Sequence, residues 1–153
     1  MELIFMVGIS GSGKSTIAKK FATLFNYEYV SSDDKRKEWY GDEEDQSHNF
    51  ELFCRLEHLV TNLLNDGKSV VLDATNISRK SRKRFVKLAQ LPDVHLSAIV
   101  VHTPIEIAKA RNASRERSVP DYVIEKQFNA LQIPNEAEGF RTVFHINNET
   151  DHT

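Results

Sequence analysis

Cysteine is almost missing from this sequence: Cys54 is the single one, so no disulfide can form within the chain. A chain without internal cross-links suits a reducing compartment, and a cytoplasmic protein is expected. An excess of either charge is missing too. Lys and Arg number 20 against 22 Asp and Glu, a formal net charge of −2, so no global basic field draws in nucleic acid. Any contact with a polyanion must come from local clusters. No apolar run approaches membrane-spanning length, so no membrane association is expected. Met1-Glu2 leads straight into an apolar stretch, which leaves no room for a signal peptide. Internal repeats, low-complexity tracts and long linkers are absent as well. A length of 153 residues then fits a single compact domain, 1–153, with one core.

What is present is concentrated near the start. Residues Gly8 to Ser15 read G-I-S-G-S-G-K-S, a full match to the phosphate-binding loop G-x-x-x-x-G-K-[ST]. In such a loop the glycines let backbone N–H groups turn inward around a phosphate chain. Gly8, Ser10, Gly11, Ser12 and Gly13 make the expected cradle, with Thr16 at the start of the helix that follows. Lys14 can reach the β- and γ-phosphates, and the Ser15 hydroxyl can ligate Mg²⁺. The flanks agree. Leu3 to Val7 is a short apolar run suited to a buried strand, and Ile17, Phe21, Leu24 and Phe25 recur at helical spacing. A helix N-terminus therefore points at the phosphates. ATP with Mg²⁺ is the expected ligand.

Further along, strands and helices alternate. Strands are expected at Tyr27–Val30, Ser69–Leu72, Val94–Val101 and Val143–Ile146. Helices are expected at Lys35–Tyr40, His48–Asn65, Ser78–Leu91 (ended by Pro92), Pro104–Ala113 and Asp121–Leu131, with an exposed acidic turn from Gly41 to Asp45. The long helix carries Phe53, Leu56, Val60, Leu63 and Leu64 as its apolar stripe. Five strands separated by helices argue for an α/β fold, a parallel sheet covered on both faces. Ligands in such folds sit beyond the carboxyl ends of the strands.

Four polar clusters fall near those ends. Asp33-Asp34 with Lys35-Arg36-Lys37 follows the second strand. A carboxylate there can accept the proton of an attacking hydroxyl while Arg36 holds an acceptor phosphate, or Ser32, Asp33 or, more naturally, Asp34 caps the next helix. Asp73-Ala74-Thr75-Asn76 follows the third strand. Asp73 suits Mg²⁺ held through water, with Thr75 and Asn76 as neutral groups at the crevice, or Thr75, Asn76 or Ser78 only starts the next helix. The run Arg79 to Arg84, with Lys87, places cations in the opening turns of a helix, where the macrodipole favours acids. A nucleic-acid contact and a solvated polar face both account for it. Last, Arg111, Arg115 and Arg117 lie before Val119-Pro120 between two helices, as an arginine-bearing lid at approximately 112–120 or an ordinary charged connection.

Taken together, G-x-x-G-S-G-K-S-T, S-D-D-x-R, D-x-T-N and R-N-x-x-R ending in V-P resemble the kinase domain of the phage T4-type polynucleotide 5′-kinases, within the P-loop kinase superfamily. The resemblance runs in order over residues 8 to 120. It implies an ATP-dependent kinase acting on the 5′-hydroxyl ends of RNA or DNA, in the cytoplasm or, for a phage-borne gene, in that of the host. It implies Asp33 as the base for that hydroxyl and Arg36 as the holder of the acceptor phosphate. Lys14, Ser15 and Arg115 would handle the donor phosphates, with Arg115 stabilising the transition state. Asp73 and Thr75 would line the acceptor side, and Arg111 would sit beside the donor nucleotide. From the fold alone, Asn147 or Asn148, after the last strand, is placed to touch the donor's base. Lys35 departs from the tyrosine of that family, and the lid's R-E-R lets Arg117 share or replace the role of Arg115. No phosphatase or ligase module follows in these residues. Two other functions fit the same motifs: a small-molecule kinase of the superfamily, and a non-catalytic nucleotide-binding module.

Overall fold

The computed structural model describes residues 1–42, 47–115 and 118–149. Among these, five strands form one sheet: β1 (Glu2–Val7), β2 (Glu28–Ser31), β3 (Val70–Asp73), β4 (His95–His102) and β5 (Thr142–Asn147). All pairings are parallel, in the order β2-β3-β1-β4-β5. Parallel neighbours cannot be joined by hairpins, so each connection must cross a face of the sheet. Six helices make those crossings: α1 (Lys14–Phe25), α2 (Ser32–Tyr40), α3 (Asn49–Asn65), α4 (Arg79–Val86), α5 (Ile105–Ala113) and α6 (Asp121–Ala130).

Alternation along β1 divides the core in two. Leu3, Phe5 and Val7 pack with Leu52, Leu56, Val60 and Leu64 of α3 and with Phe85 of α4. Ile4 and Met6 face the other way, onto Ala18 and Ala22 of α1. β1 is the central strand, with β3 on one side and β4 on the other. Its carboxyl end is the point where the strand order changes direction, which is where open parallel sheets hold ligands.

Element ends differ from expectation by a few residues, and two apolar stripes are turned. In α1 the buried positions are the alanines, while Leu24 is 78% and Phe25 53% exposed. Small side chains let the helix lie close to the sheet and push the larger ones to its flank. In α3 the buried row is Leu52, Leu56, Val60 and Leu64, four apart, and Phe53 turns toward the crevice described below. The expected helix to Leu91 is α to Val86 and then a 3-10 turn over Lys87–Gln90. Gly41 closes α2 in the left-handed region, and the acidic residues Glu43 to Asp45 lie outside the described residues.

Candidate active site

The loop between β1 and α1 is shaped by two glycines that no other residue could replace without strain. Gly11 has φ +83°, and a Cβ there would stand 2.2 Å from the carbonyl oxygen of Ala108 in α5. Gly13 has φ +84°, and a Cβ would meet Asn148 Nδ2 at 2.5 Å. The first turn of α1 has no side-chain cap and no acidic residue, so its orphan N–H groups and dipole are left for an anion. Lys14 is half-buried at this helix start. Burial holds its ammonium below the usual lysine value; Asp73 and then Asp33 pull the other way, and Arg115 adds to the lowering.

Beyond the loop opens a crevice of about 670 Å³. It gathers Ser10, Lys14, Ser15, Asp33, Arg36, Asp73, Thr75 and Arg115, eight residues singled out by their motifs. Gly8, Gly11, Ser12, Gly13, Thr16 and Arg111 are not among its lining residues; they build the loop and its surroundings. Asp33 and Arg36 come from successive turns of α2. Arg36 is buried and donates to Asp33 Oδ1 at 2.9 Å and to Asn49 Oδ1 at 3.0 Å, while the Asp33 side chain is 60% exposed. The cap of α2 is neither aspartate nor Ser32. Ser31 does it, its hydroxyl accepting from Asp34 N–H at 3.2 Å. That assignment corrects Asp34 as the cap and leaves both aspartates in the first turn, where the dipole favours acids.

Asp73 ends β3, nearly buried, and it has a partner that its motif does not announce. The Tyr29 hydroxyl donates to its Oδ2. Burial first, and then the Asp73 charge and hydrogen bond, raise the Tyr29 phenol far above its usual value, so it stays a donor. Asn76, expected at the crevice, is instead buried behind the loop. It sits at φ 48° and donates to Met6 O at 2.8 Å, while Thr75 O accepts from Gly8 N–H at 3.2 Å.

Three side chains converge on the carbonyl of Ser12: Asn148 Nδ2 at 2.8 Å, Thr103 Oγ1 at 3.1 Å and an Arg111 guanidinium N–H at 3.2 Å. Asn148 therefore holds the loop itself. Thr103, Tyr29 and Asn49 escape notice in the sequence because they act as single residues from elements far apart. α5 runs through Ala113, and its Asn112 clamps the connection to α6. Its amide donates to Val119 O at 2.6 Å and accepts from Val119 N at 3.0 Å. Arg115 stands on this connection in reach of the crevice; Arg117 lies outside the described residues.

The basic run of α4 divides. Arg82 is fully buried on Glu138, at 2.7 and 3.0 Å, and Arg84 pairs with Glu57 at 3.1 Å. Lys87 also pairs with Glu57, leaving Arg79, Lys80 and Lys83 exposed.

A parallel sheet in this order, with a phosphate-binding loop on its central strand and a lysine, carboxylates and Arg115 around one crevice, defines a P-loop α/β domain. Residues 3–134 match the family model described as "AAA domain", and the chain belongs to that family. It is 26% identical over 147 residues to the bifunctional polynucleotide phosphatase/kinase of Schizosaccharomyces pombe, covering 93% of this chain and 32% of that protein. It is 24% identical over 138 residues to the L-seryl-tRNA(Sec) kinase of Methanococcus maripaludis, covering 86% and 53%. The chain thus spans about a third of the first relative and about half of the second. Among solved structures, one from the Pnkp1/Rnl/Hen1 RNA repair complex is 27% identical, with TM-score 0.73 over 86% of this chain and 44% of that one. A gluconokinase from Sinorhizobium meliloti, 16% identical with TM-score 0.67 over 98% and 84%, shares the fold.

Proposed function

We propose that this chain transfers the γ-phosphoryl group of ATP to the 5′-hydroxyl end of a polynucleotide. The observation that carries the reading is the α2 wall: Asp33 and the buried Arg36, joined at 2.9 Å, in one crevice with Lys14 and Arg115. A carboxylate beside a fixed guanidinium suits an alcohol that carries a phosphate on its 3′ side. The relatives named as polynucleotide kinases support the acceptor class.

The phosphate chain of the donor fits the loop, whose open helix start and Gly11–Gly13 bend present N–H groups with no competing acid. Lys14 and Arg115 sit against its outer phosphates, and Arg111 and Asn148 keep the loop in register through Ser12. Ser15, exposed at the crevice, and Asp73 supply the hard oxygen donors that Mg²⁺ takes. The ion, when bound, neutralises charge on the phosphates. Asp73 has one oxygen held by Tyr29, so a single oxygen is left for either the metal's water or the acceptor. Thr75 lines the acceptor side beside it.

In the transfer, the acceptor oxygen forms a bond to the γ-phosphorus as the bond to the β,γ-bridging oxygen breaks. ADP leaves with that electron pair, and the hydroxyl proton passes to the Asp33 oxygen that Arg36 does not hold. Positioning and electrostatics do most of the work.

The test is labelling from γ-labelled ATP with Mg²⁺ of a 5′-hydroxyl oligonucleotide, a nucleoside 3′-phosphate, a plain nucleoside and no acceptor. Strong labelling of the first two, with Arg36→Ala raising KM only for acceptors with a 3′-phosphate, is expected. Labelling of a small alcohol and not of the oligonucleotide overturns the reading in favour of a small-molecule kinase.

A further inference from the structure

The phosphate-binding loop has a tie to α6 that its motif does not explain. The Ser10 backbone N–H donates to Gln127 Oε1 at 2.8 Å, across 117 positions of the chain. Gln127 lies on α6 one turn after Val123, and both face the crevice, while Ile124 between them is buried in the core. The helix is fixed from two sides: Asn112 clamps Val119 just before it, and Lys109 of α5 meets Glu125 at 2.7 Å. Gln127 is therefore carried, half-buried, on a helix tied to α5, in the crevice that Lys14 and Arg115 also line.

The two ends of a carboxamide are ordinarily hard to tell apart, but here the partner settles them. A backbone N–H can only donate, so the oxygen faces Ser10 and the nitrogen, with two N–H donors, faces away from it. A neutral double donor is thereby held at the loop, in the crevice that Lys14 and Arg115 also line. We propose that Gln127 is a further catalytic residue of phosphoryl transfer. Anchored through Oε1 on Ser10, it donates from Nε2 to the γ-phosphoryl oxygens of the bound triphosphate. It takes no proton and makes no covalent bond, and all bond changes remain those of the transfer itself. The proposal rests on transfer from a triphosphate in this crevice, and not on which alcohol receives the group.

Two substitutions separate donation from mere support of the loop. Gln127→Glu keeps an oxygen for Ser10 N–H but loses both donors; Gln127→Met keeps the length, stays neutral and loses oxygen and donors alike. The primary readout needs no acceptor: the affinities for ATP and ADP, each with Mg²⁺, by calorimetry on the whole chain. Both variants are expected to keep the affinity for ADP and to lower the ratio of ATP to ADP affinity by about tenfold or more, as befits a hydrogen bond to a charged group. With whichever acceptor the wild type labels, kcat should fall about 100-fold, the usual effect of removing one such donor. A Gln127→Glu protein with the wild-type ratio and kcat would show that Gln127 only braces Ser10, and overturns the proposal. Loss in Gln127→Glu with Gln127→Met at the wild-type level is repulsion by the new carboxylate and overturns it as well. So does an equal loss of ADP and ATP affinity, which marks a damaged loop. If oligonucleotides go unlabelled while another alcohol is labelled, the acceptor reading fails and the Gln127 result stands by itself.

Discussion

Lys14 carries its charge at a cost that its neighbours offset only in part. Burial holds its folded value below 10.5, and the nearby Asp73 and Asp33 offset that only in part. Between the folded and unfolded values the unfolded chain binds more protons, so the ligand-free protein gains stability as pH rises through that window and levels off above 10.5. A triphosphate placed against the ammonium raises its value again. ATP binding should therefore take up protons at pH values between the folded value of Lys14 and its usual 10.5, and affinity should weaken as pH rises through that window. Calorimetry in two buffers of different ionisation enthalpy measures the uptake. Lys14→Met should abolish it along with transfer, and undiminished uptake in that variant would place the titrating group elsewhere. Asp33 tests the other side of the crevice. It is mostly exposed and held by Arg36 on one oxygen, so Asp33→Asn should leave ATP binding intact and cut transfer by about 10²–10⁴, the range for loss of a general base. Near wild-type transfer in that variant would remove Asp33 from the base role.

At the scale of elements, α4 shows how one charged run serves two purposes. Arg82 and Arg84 are absorbed by Glu138 and Glu57; the outward Arg79 and Lys80 are left in the first turn, where the helix dipole opposes them, and the outward Lys83 in the last turn, where it does not. If a polynucleotide is the acceptor, these three are placed to meet phosphates beyond the reacting end. Reversing them together to Glu should raise KM for a long oligonucleotide and lower its salt slope by about 1 for each phosphate no longer neutralised. A nucleoside 3′-phosphate should be unaffected; no change with either acceptor makes this a solvated face. The same helix marks the limit of what could be read in the sequence. The phosphate loop, the alternation of strands and helices and the polar residues at strand ends were legible, because each depends on neighbours in the chain. The depth of Arg82 was not, since it depends on Glu138, which lies 56 positions away. Tyr29 against Asp73, Asn148 against Ser12 and Gln127 against Ser10 were hidden for the same reason. Helical spacing marks Leu24 and Phe25 as apolar positions of α1 without saying how deep they lie; close packing on the sheet buries Ala18 and Ala22 instead.

For the whole molecule, the Arg82–Glu138 pair is the polar tie that closes the core on the β4–β5 side. Arg82 also donates to the carbonyls of Asn76 at 2.6 Å and Ile77 at 3.2 Å, so one guanidinium joins the segment after β3 to the turn before β5. Asn76 in turn holds Met6 O at the end of β1, just before the phosphate loop. Both side chains of the pair are nearly inaccessible, at 0% and 5% exposure, so removing one partner leaves a charge that water cannot reach. Glu138→Ala should cost about 3–5 kcal/mol, the usual effect of breaking a buried pair from one side. For a domain of this size that is a fall of about 6–20 °C in Tm. Glu138→Gln, which keeps an oxygen for the guanidinium, should lose less. Thermal unfolding of the three proteins at neutral pH checks the ordering. A loss under about 1 kcal/mol for Glu138→Ala, the range of an exposed pair, would mean that solvent reaches Arg82 and that the tie is not closed. With the full loss, ATP binding should weaken in step, because the carbonyls that Arg82 anchors belong to the segment that seats the loop.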